Sequence, residues 1–361
     1  VTESCGPDLT GLAPSRILAV QLRRIGDVLL TTPAVELLKR RFPEAELHVL
    51  TEKTCAPVLE NNPHVDQLWV LDRAEHKDLR KALAFYLAIR RTGFDLVVDF
   101  QQLPRCRYAV LASRAATRLS FPPRRGLRWL YTHWAQPLEG YAAMAKASIL
   151  RPLGIHWNFD PPRVYLTDEE RRRARDVLAG LGVQSGDELV TLDPSHRRHT
   201  RRWPAERFAE TARLVLDARP RAKFLLLAGP GEQDLAREVQ QLSGRPERML
   251  LPEDILSLRE MAGVIEAAAL HLGNCSAPKH FAAAVDTPSV SVLGATSWAW
   301  TCPPAPGAPR LHENVAKNLP CQPCNRDECQ YGERPPCLDE LGARPVADRV
   351  VERLNDPAPG S

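Results

Sequence analysis

Arg16-Ile-Leu-Ala-Val-Gln-Leu22 runs into Arg23-Arg-Ile-Gly-Asp27-Val-Leu-Leu-Thr-Thr-Pro33-Ala34 and then into Val35-Glu-Leu-Leu-Lys-Arg-Arg-Phe42. The first run is apolar and β-rich, which suits a strand covered on both faces, and the last repeats its apolar residues at helical spacing. Gly26 offers backbone freedom where the chain must turn between them. In doubly wound α/β sheets ligands gather at the carboxyl ends of the strands, so Asp27 faces a ligand cleft on one reading. On the other it caps a helix that begins there, with Thr32-Pro33 as a competing helix start.

Working outward, strand-like runs at Glu46–Thr51, Gln67–Leu71 and Leu96–Phe100 alternate with helical patterns at Thr54–Asn61 and His76–Arg91. This is a βαβ series, and it predicts a mostly parallel sheet. The series stops near residue 155, and a Pro-marked stretch, Asn158-Phe-Asp-Pro-Pro-Arg-Val, follows. A charged helix over Asp168–Leu181 opens a second series, with strands at Glu188–Leu192, Lys223–Ala228, Ala269–Leu272 and Ser289–Leu293. Its helices fall at Ala205–Asp217, Glu232–Leu242, Leu258–Ala268 and Pro278–Val285, and a last one at Pro345–Asn355 packs back on either domain. The expectation is two α/β domains, residues 1–158 and 159–361, facing across a cleft, with no sequence repeat between them.

At 361 residues, 44% apolar and 25% charged, the chain can bury two cores without disulfides. It contains no run of eighteen apolar residues, and Val1 to Ser15 lacks the basic and apolar regions of a secretory signal, so a cytoplasmic protein is expected. The net charge of +4 is unevenly spread. Gln101–Trp157 holds nine basic residues, among them Arg105, Arg124, Arg125 and Arg128, against Glu139 alone, with Trp129, Tyr131, Trp134 and Tyr141 interleaved. Such a stretch either meets an anionic surface, such as phosphorylated lipid, or is a solvated basic face. Pro122-Pro123 and the lack of a nucleic-acid motif argue against a groove-reading helix, so no nucleic-acid partner is expected.

The second series carries three polar strand ends. In Asp193-Pro-Ser-His196-Arg-Arg-His-Thr-Arg201-Arg-Trp203-Pro204, four arginines and two histidines fall within seven residues, forming either a diphosphate site or a solvated basic loop. In Gly229-Pro-Gly-Glu232, Glu232 accepts from ribose hydroxyls or is a first-turn helix acid. In Gly273-Asn-Cys-Ser276-Ala-Pro-Lys-His280, the helix start leaves backbone N–H groups free for an anion. Ser276 is there a cap or a phosphate ligand, and His280 a ligand or a satisfied buried histidine. Four of the nine cysteines crowd together as Cys321-x2-Cys324-x4-Cys329-x7-Cys337. A structural zinc or iron, reduced thiols packing a loop, and disulfides formed on oxidation are all compatible with this spacing.

Taken together these residues resemble the heptosyltransferases of lipopolysaccharide synthesis, the ADP-heptose-using glycosyltransferase family 9. Arg23–Ala34 matches Arg-x-x-Gly-Asp-x-Leu-x-x-x-Pro-Ala, Arg201–Pro204 is similar to Lys-x-Trp-Pro, and Gly273–His280 is similar to Gly-Asn-Asp-Ser-Gly-Pro-x-His. Phe42-Pro-Glu-Ala-Glu and Asn62-Pro-His-Val-Asp resemble the same family's first domain. The resemblance implies a GT-B fold of two Rossmann-like domains, the first for the acceptor and the second for the nucleotide sugar. It implies an inverting transferase that needs no catalytic metal, with Asp27 as general base and Arg201 neutralising the donor diphosphate. Glu232, Ser276, Ala277 and His280 would hold ADP-heptose, while Arg105, Arg124, Arg125 and Arg128 would meet an anionic lipopolysaccharide core acceptor at the inner face of the inner membrane. Autotransporter heptosyltransferases in this family carry an iron-bearing cysteine finger, which extends the metal reading to Cys321, Cys324, Cys329 and Cys337. The chain departs from the pattern at Arg201, which replaces Lys, at Cys275, which replaces an acid, and at Ala277, which replaces Gly. Those departures keep two alternatives open: another nucleotide sugar or a protein acceptor, and a sugar-nucleotide-binding protein without activity.

Overall fold

Buried parallel strands alternate with helices in both halves of the chain, as the apolar runs require. The computed structural model describes residues 4–5, 8–301, 303 and 311–356. The chain divides into two compact units, Val1–Tyr165 and Leu166–Ser361.

The first unit is built on strands β1 (Ser4–Cys5), β2 (Arg16–Val20), β3 (Glu46–Glu52), β4 (Gln67–Leu71), β5 (Leu96–Asp99), β6 (Thr117–Ser120) and β7 (His133–Ala135). They lie in the order β1-β7-β6-β5-β2-β3-β4, parallel except for the β1–β7 pair. In the central strand Val20 pairs with Leu50 on one side and Asp99 on the other, and Ile17 to Val20 are almost wholly buried. Each such side chain stabilises the fold by about 1.5–3 kcal/mol, which is why the run contains no charge after Arg16. The helices are α1 (Ile25–Leu29), α2 (Thr32–Arg41), α3 (Leu79–Thr92), α4 (Pro104–Ser113) and α5 (Ala142–Ala147).

Three sequence expectations change here. Thr54–Asn61 is not a helix but a single 3-10 turn at Ala56–Val58, with Pro57 inside it and Asn61 at a positive φ of 60°. Within the first series the sheet also contains β6 and β7, for which the sequence reading named no strand. Residues 159–165 belong with the first unit: Arg163 N donates to Thr32 Oγ1 at 3.0 Å, and Asp160 pairs with Arg40, both on α2.

The second unit has strands β8 (Glu188–Asp193), β9 (Ala222–Leu226), β10 (Met249–Leu250), β11 (Leu270–Asn274), β12 (Ser289–Val292) and β13 (His312–Val315). All neighbours are parallel, in the order β10-β9-β8-β11-β12-β13. Its helices are α6 (Asp168–Gly180), α7 (Ala205–Ala218), α8 (Gln233–Leu242), α9 (Leu258–Glu266), α10 (Ala277–Ala284), α11 (Trp298–Thr301), α12 (Pro336–Asp339) and α13 (Ala343–Asn355). Helix α13 packs on α7 and sends Val346, Ala347 and Val350 into the core beside Phe208, Ala212 and Val215. Among the described residues no helix is long and apolar enough to cross a membrane.

Candidate active site

At the end of β2 the chain enters α1, whose N-cap is Arg24; Asp27 is its third residue, and its carboxylate takes part in capping that helix by accepting from the Arg24 backbone N–H. Asp27 is half-buried in the first turn, and its Oδ2 accepts one hydrogen bond, from Arg24 N at 3.5 Å. That distance is at the limit of a useful interaction, which leaves the carboxylate largely available. Gly26 lies within α1 and is absent from the glycines with positive φ, so the turn does not use its freedom. The second helix starts at Thr32 with Pro33 next, as the competing start proposed.

The backbone around Asp27 is firmly held even though its carboxylate is not. Thr31 Oγ1 donates to the Asp27 carbonyl at 2.7 Å. Gln21 and Gln101 both donate to the Arg23 carbonyl, and Gln101 Oε1 accepts from the N–H groups of Leu22 and Arg23, each at 3.2 Å. Gln101 is itself placed by Asp99, fully buried at the end of β5, which accepts from Gln101 N, Gln102 N and the Tyr131 hydroxyl at 2.9, 2.8 and 2.6 Å. Burial raises the Asp99 pKa, against the pull of these donors. Sequence reasoning missed Asp99, Gln21 and Gln101, because their roles depend on which strands lie side by side.

Arg105 opens α4 after β5, and Arg124, Arg125 and Arg128 lie in the turn after β6. Strands β2, β5 and β6 are adjacent and parallel, so the structure brings these four arginines to the sheet edge that carries Asp27. Arg124, Arg125 and Arg128 are exposed, and Arg128 stacks over Trp134 with 5.7 Å from guanidinium to ring centre. The basic stretch is not one surface, however. Arg118 donates to the carbonyls of Leu130 and Ala115, and Arg151 to those of Ser148 and Gln136, so both serve the fold.

In the second unit the ends of β8, β9 and β11 share one hydrogen-bonded cluster. Asp193, at the end of β8, is buried; its Oδ1 accepts from Ser195 N at 3.0 Å and its Oδ2 from Ser276 Oγ. Ser195 Oγ stands 2.9 Å from Asp193 Oδ1 and 2.8 Å from Glu232 Oε2. A hydroxyl has one proton, so both contacts are satisfied when Asp193 is protonated and donates to Ser195, which donates to Glu232. Burial pushes the Asp193 pKa up to about 6, in keeping with that arrangement. Glu232 Oε2 also accepts from Gly229 N at 2.9 Å, closing its own turn ahead of α8. Asn274 completes the brace: its Oδ1 accepts from Trp203 N at 2.9 Å, and its Nδ2 donates to the carbonyls of Pro194 and Ser195.

Ser276 precedes α10, but its hydroxyl is spent on Asp193, so it neither caps the helix nor stands ready for phosphate. The backbone N–H groups of Ala277 and Lys279 have no preceding helical carbonyl to bond, and that end of the helix attracts negative charge. His280 is half-buried, and burial first, then Lys279 and His312, lower its pKa to about 3. Its imidazole is therefore neutral near pH 7 and suited to hydrogen-bonding a hydroxyl rather than pairing with a phosphate.

Arg201 has no hydrogen-bond or ion-pair partner for its side chain among the described residues. Its guanidinium is half-buried, and its Nε is sealed from solvent with no hydrogen-bond partner. Close by, the charges of Arg201 and Arg198 add to burial in lowering the His196 pKa to about 4. Neighbouring residues are anchored instead: Arg198 pairs with Asp327, and Thr200 Oγ1 donates to the Arg326 carbonyl at 3.0 Å. A Cβ on Gly294 would collide with the Thr200 carbonyl oxygen, so the chain needs glycine there for this close approach.

The four clustered cysteines do come together. Cys321, Cys324, Cys329 and Cys337 line one cavity of about 290 Å³ with Thr200, Arg326 and Tyr331. Yet among the described residues no three His, Cys, Asp or Glu side chains are grouped so as to hold a metal ion. Burial, then proximity to the other three cysteines, raises the Cys337 pKa to about 11, which keeps it a protonated thiol near pH 7.

The family model described as glycosyltransferase family 9 (heptosyltransferase) matches residues 82–334. The chain belongs to that family. Among its relatives, a lipopolysaccharide heptosyltransferase 3 of Escherichia coli is 29% identical, over 76% of this chain and 82% of the other. Among solved structures, a family 9 glycosyltransferase from Veillonella parvula superposes with a TM-score of 0.79 at 20% identity, covering 94% of this chain and 97% of that one. The E. coli ADP-heptose lipopolysaccharide heptosyltransferase II gives a TM-score of 0.73 at 17% identity, covering 94% and 98%. The two-unit architecture is thus that of a GT-B glycosyltransferase, and this family 9 chain is an enzyme of heptose transfer in lipopolysaccharide biosynthesis.

Proposed function

We propose that the enzyme moves heptose from ADP-heptose to a lipopolysaccharide core acceptor with inversion at the anomeric carbon, and that Asp27 is the general base. The single observation that carries the reading is Arg201, a half-buried guanidinium whose Nε has no partner in the protein. A guanidinium N–H sealed from solvent without a partner is costly unless a ligand completes it, and a diphosphate is the anion that the planar fork and the adjacent helix start would accept. In the reaction the acceptor hydroxyl oxygen bonds to the anomeric carbon as the bond from that carbon to the β-phosphate oxygen breaks. The hydroxyl proton passes to Asp27, and the charge released on ADP is taken up by Arg201 and by the N–H groups at Ala277 and Lys279. Glu232, with its Oε1 uncommitted, and the neutral His280 are assigned to the hydroxyls and base of the nucleotide sugar. No metal is assigned a part in transfer.

The acceptor is assigned to Arg105, Arg124, Arg125 and Arg128, whose charge suits a phosphorylated glycolipid. Trp129 is 65% exposed among them, a residue suited to a membrane interface, and the enzyme is assigned to the cytoplasmic side as a peripheral protein. Cys275 favours a second reading, a different donor. The acid that the family pattern has there is not replaced by Asp193, whose oxygens are already taken.

Calorimetry with ADP, GDP, UDP and CDP, followed by turnover with the best sugar nucleotide, tests both readings. ADP should bind tightest, and Arg201→Ala should weaken it by about tenfold or more, the worth of a charge-assisted hydrogen bond. Unchanged ADP affinity in that variant would remove Arg201 from the donor site, and preference for another nucleotide would establish the second reading.

A further inference from the structure

Helix α5 reads Ala-Ala-Met-Ala-Lys-Ala and buries every residue but Met144. Its one charged residue, Lys146, is 7% exposed, and its Nζ donates to Gln21 Oε1 at 2.8 Å. Lys146 forms no ion pair among the described residues, although the charges of Asp27 and Asp99 both act on it. Burial is the stronger influence and holds its pKa below the usual lysine range. An ammonium has three N–H donors, and burying it against one neutral amide is costly. Methionine would fill the same space without that cost. A charge that stability does not require, set beside the carboxylate of a ligand-facing turn, calls for a functional reason.

Gln21 supplies the link between them. Only 2% exposed, it gives its Oε1 to Lys146 and its Nε2 to the Arg23 carbonyl at 2.8 Å. Because an ammonium only donates, it fixes which end of the Gln21 amide faces it, and so forces the NH2 end toward Arg23. Without that charge Gln21 Oε1 keeps only the Thr31 hydroxyl, at 3.4 Å, as a side-chain donor among the described residues, and the amide is held less firmly against the Arg23 carbonyl. The Arg23 carbonyl belongs to the turn whose next N–H, that of Arg24, touches Asp27.

We propose that Lys146 is a positioning residue for heptose transfer: its ammonium orients the Gln21 amide, which holds the Arg23–Asp27 turn so that the Asp27 carboxylate meets the acceptor hydroxyl. The proposal rests on Asp27 as the base. The test compares Lys146→Met, Gln21→Met, Asp27→Asn and the Lys146→Met/Asp27→Asn pair in the full chain, with ADP-heptose and a lipopolysaccharide core acceptor. In both Met variants kcat should fall by about tenfold or more, as expected of a misplaced catalytic group, with KM for each substrate within about twofold. The Tm of Lys146→Met should not drop, and adding it to Asp27→Asn should cost nothing further, since both act through one group. Wild-type kcat in folded Lys146→Met, or a raised KM with kcat intact, overturns the proposal; if that variant does not fold, Gln21→Met decides by the same criteria. Full activity in Asp27→Asn would instead defeat the base assignment itself, whereas an inactive Asp27→Asn beside a fully active Lys146→Met defeats only the role of Lys146.

Discussion

At the end of β2 the carboxylate of Asp27 has one hydrogen bond of 3.5 Å, while at the end of β8 that of Asp193 bonds to Ser195 on one oxygen and Ser276 on the other. Asp193 is the last residue of β8, and Asp27 lies in the first turn of α1, just beyond β2. What separates them is whether the protein consumes the group. Asp193 is buried and spends its oxygens tying β8 to the start of α10, so it shapes the donor-side turn without being offered to a ligand. Asp27 is half-exposed, its backbone pinned by Gln21, Gln101 and Thr31 while its carboxylate is left over. A fixed backbone with a free functional group is what proton transfer asks for.

The contrast breaks most sharply at Asp27. Asp27→Ala should lower kcat by about a thousandfold, within the range that general acid–base catalysis supplies, while ADP affinity stays within about twofold. An unfolded variant, or an active one, would mean that Asp27 is consumed by the fold after all. A smaller effect is expected at Asp193 and concerns stability. Its pKa rises on folding from 3.8 to about 6, so within that window the folded chain keeps a proton that the unfolded chain has released. Raising the pH across it therefore costs stability, on the order of 2–3 kcal/mol. Urea unfolding at pH 4 and pH 7 should show this loss in the wild type and not in Asp193→Asn; equal pH dependence would show that Asp193 is ionised throughout. The smallest expected effect is none. If the basic loop is held by Thr200, Arg198 and Gly294 as described, chelator treatment of reduced protein should leave Tm and ADP affinity unchanged, with metal content well below one ion per chain. Stoichiometric metal would mean that Cys321, Cys324, Cys329 and Cys337 close on an ion and carry that loop with it.

Much of the sheet was legible because buried parallel strands read as apolar runs: β4 matches its expected limits, and β3, β8 and β12 differ by a residue. Among the strands that escaped, β6 and β7 read Thr-Arg-Leu-Ser and His-Trp-Ala, too short and too polar for a periodicity to register. Asp27 and Arg201 stood out through local motifs, and the structure leaves both largely without partners. Asp193, Asp99 and Gln101 did not, since their partners lie on neighbouring strands: Asp193 pairs in register with Gly273, far along the chain. Ser276 shows the converse error, for the helix start was read correctly but the side chain was claimed by a carboxylate from another strand. Lys146 was counted among the surface cations because nothing in an alanine-rich segment says which residue faces inward.

Helix α13 brings a last consequence, in the order of synthesis. The core of the first unit is assembled from residues up to 165, so it can close while the second is still being made. The second unit cannot do the same piecemeal, because Val346, Ala347 and Val350 fill its interior against α7, whose residues were translated more than a hundred positions earlier. Until α13 leaves the ribosome, the part of α7 that faces it stays uncovered, and a nascent chain stalled before that point would present it to chaperones.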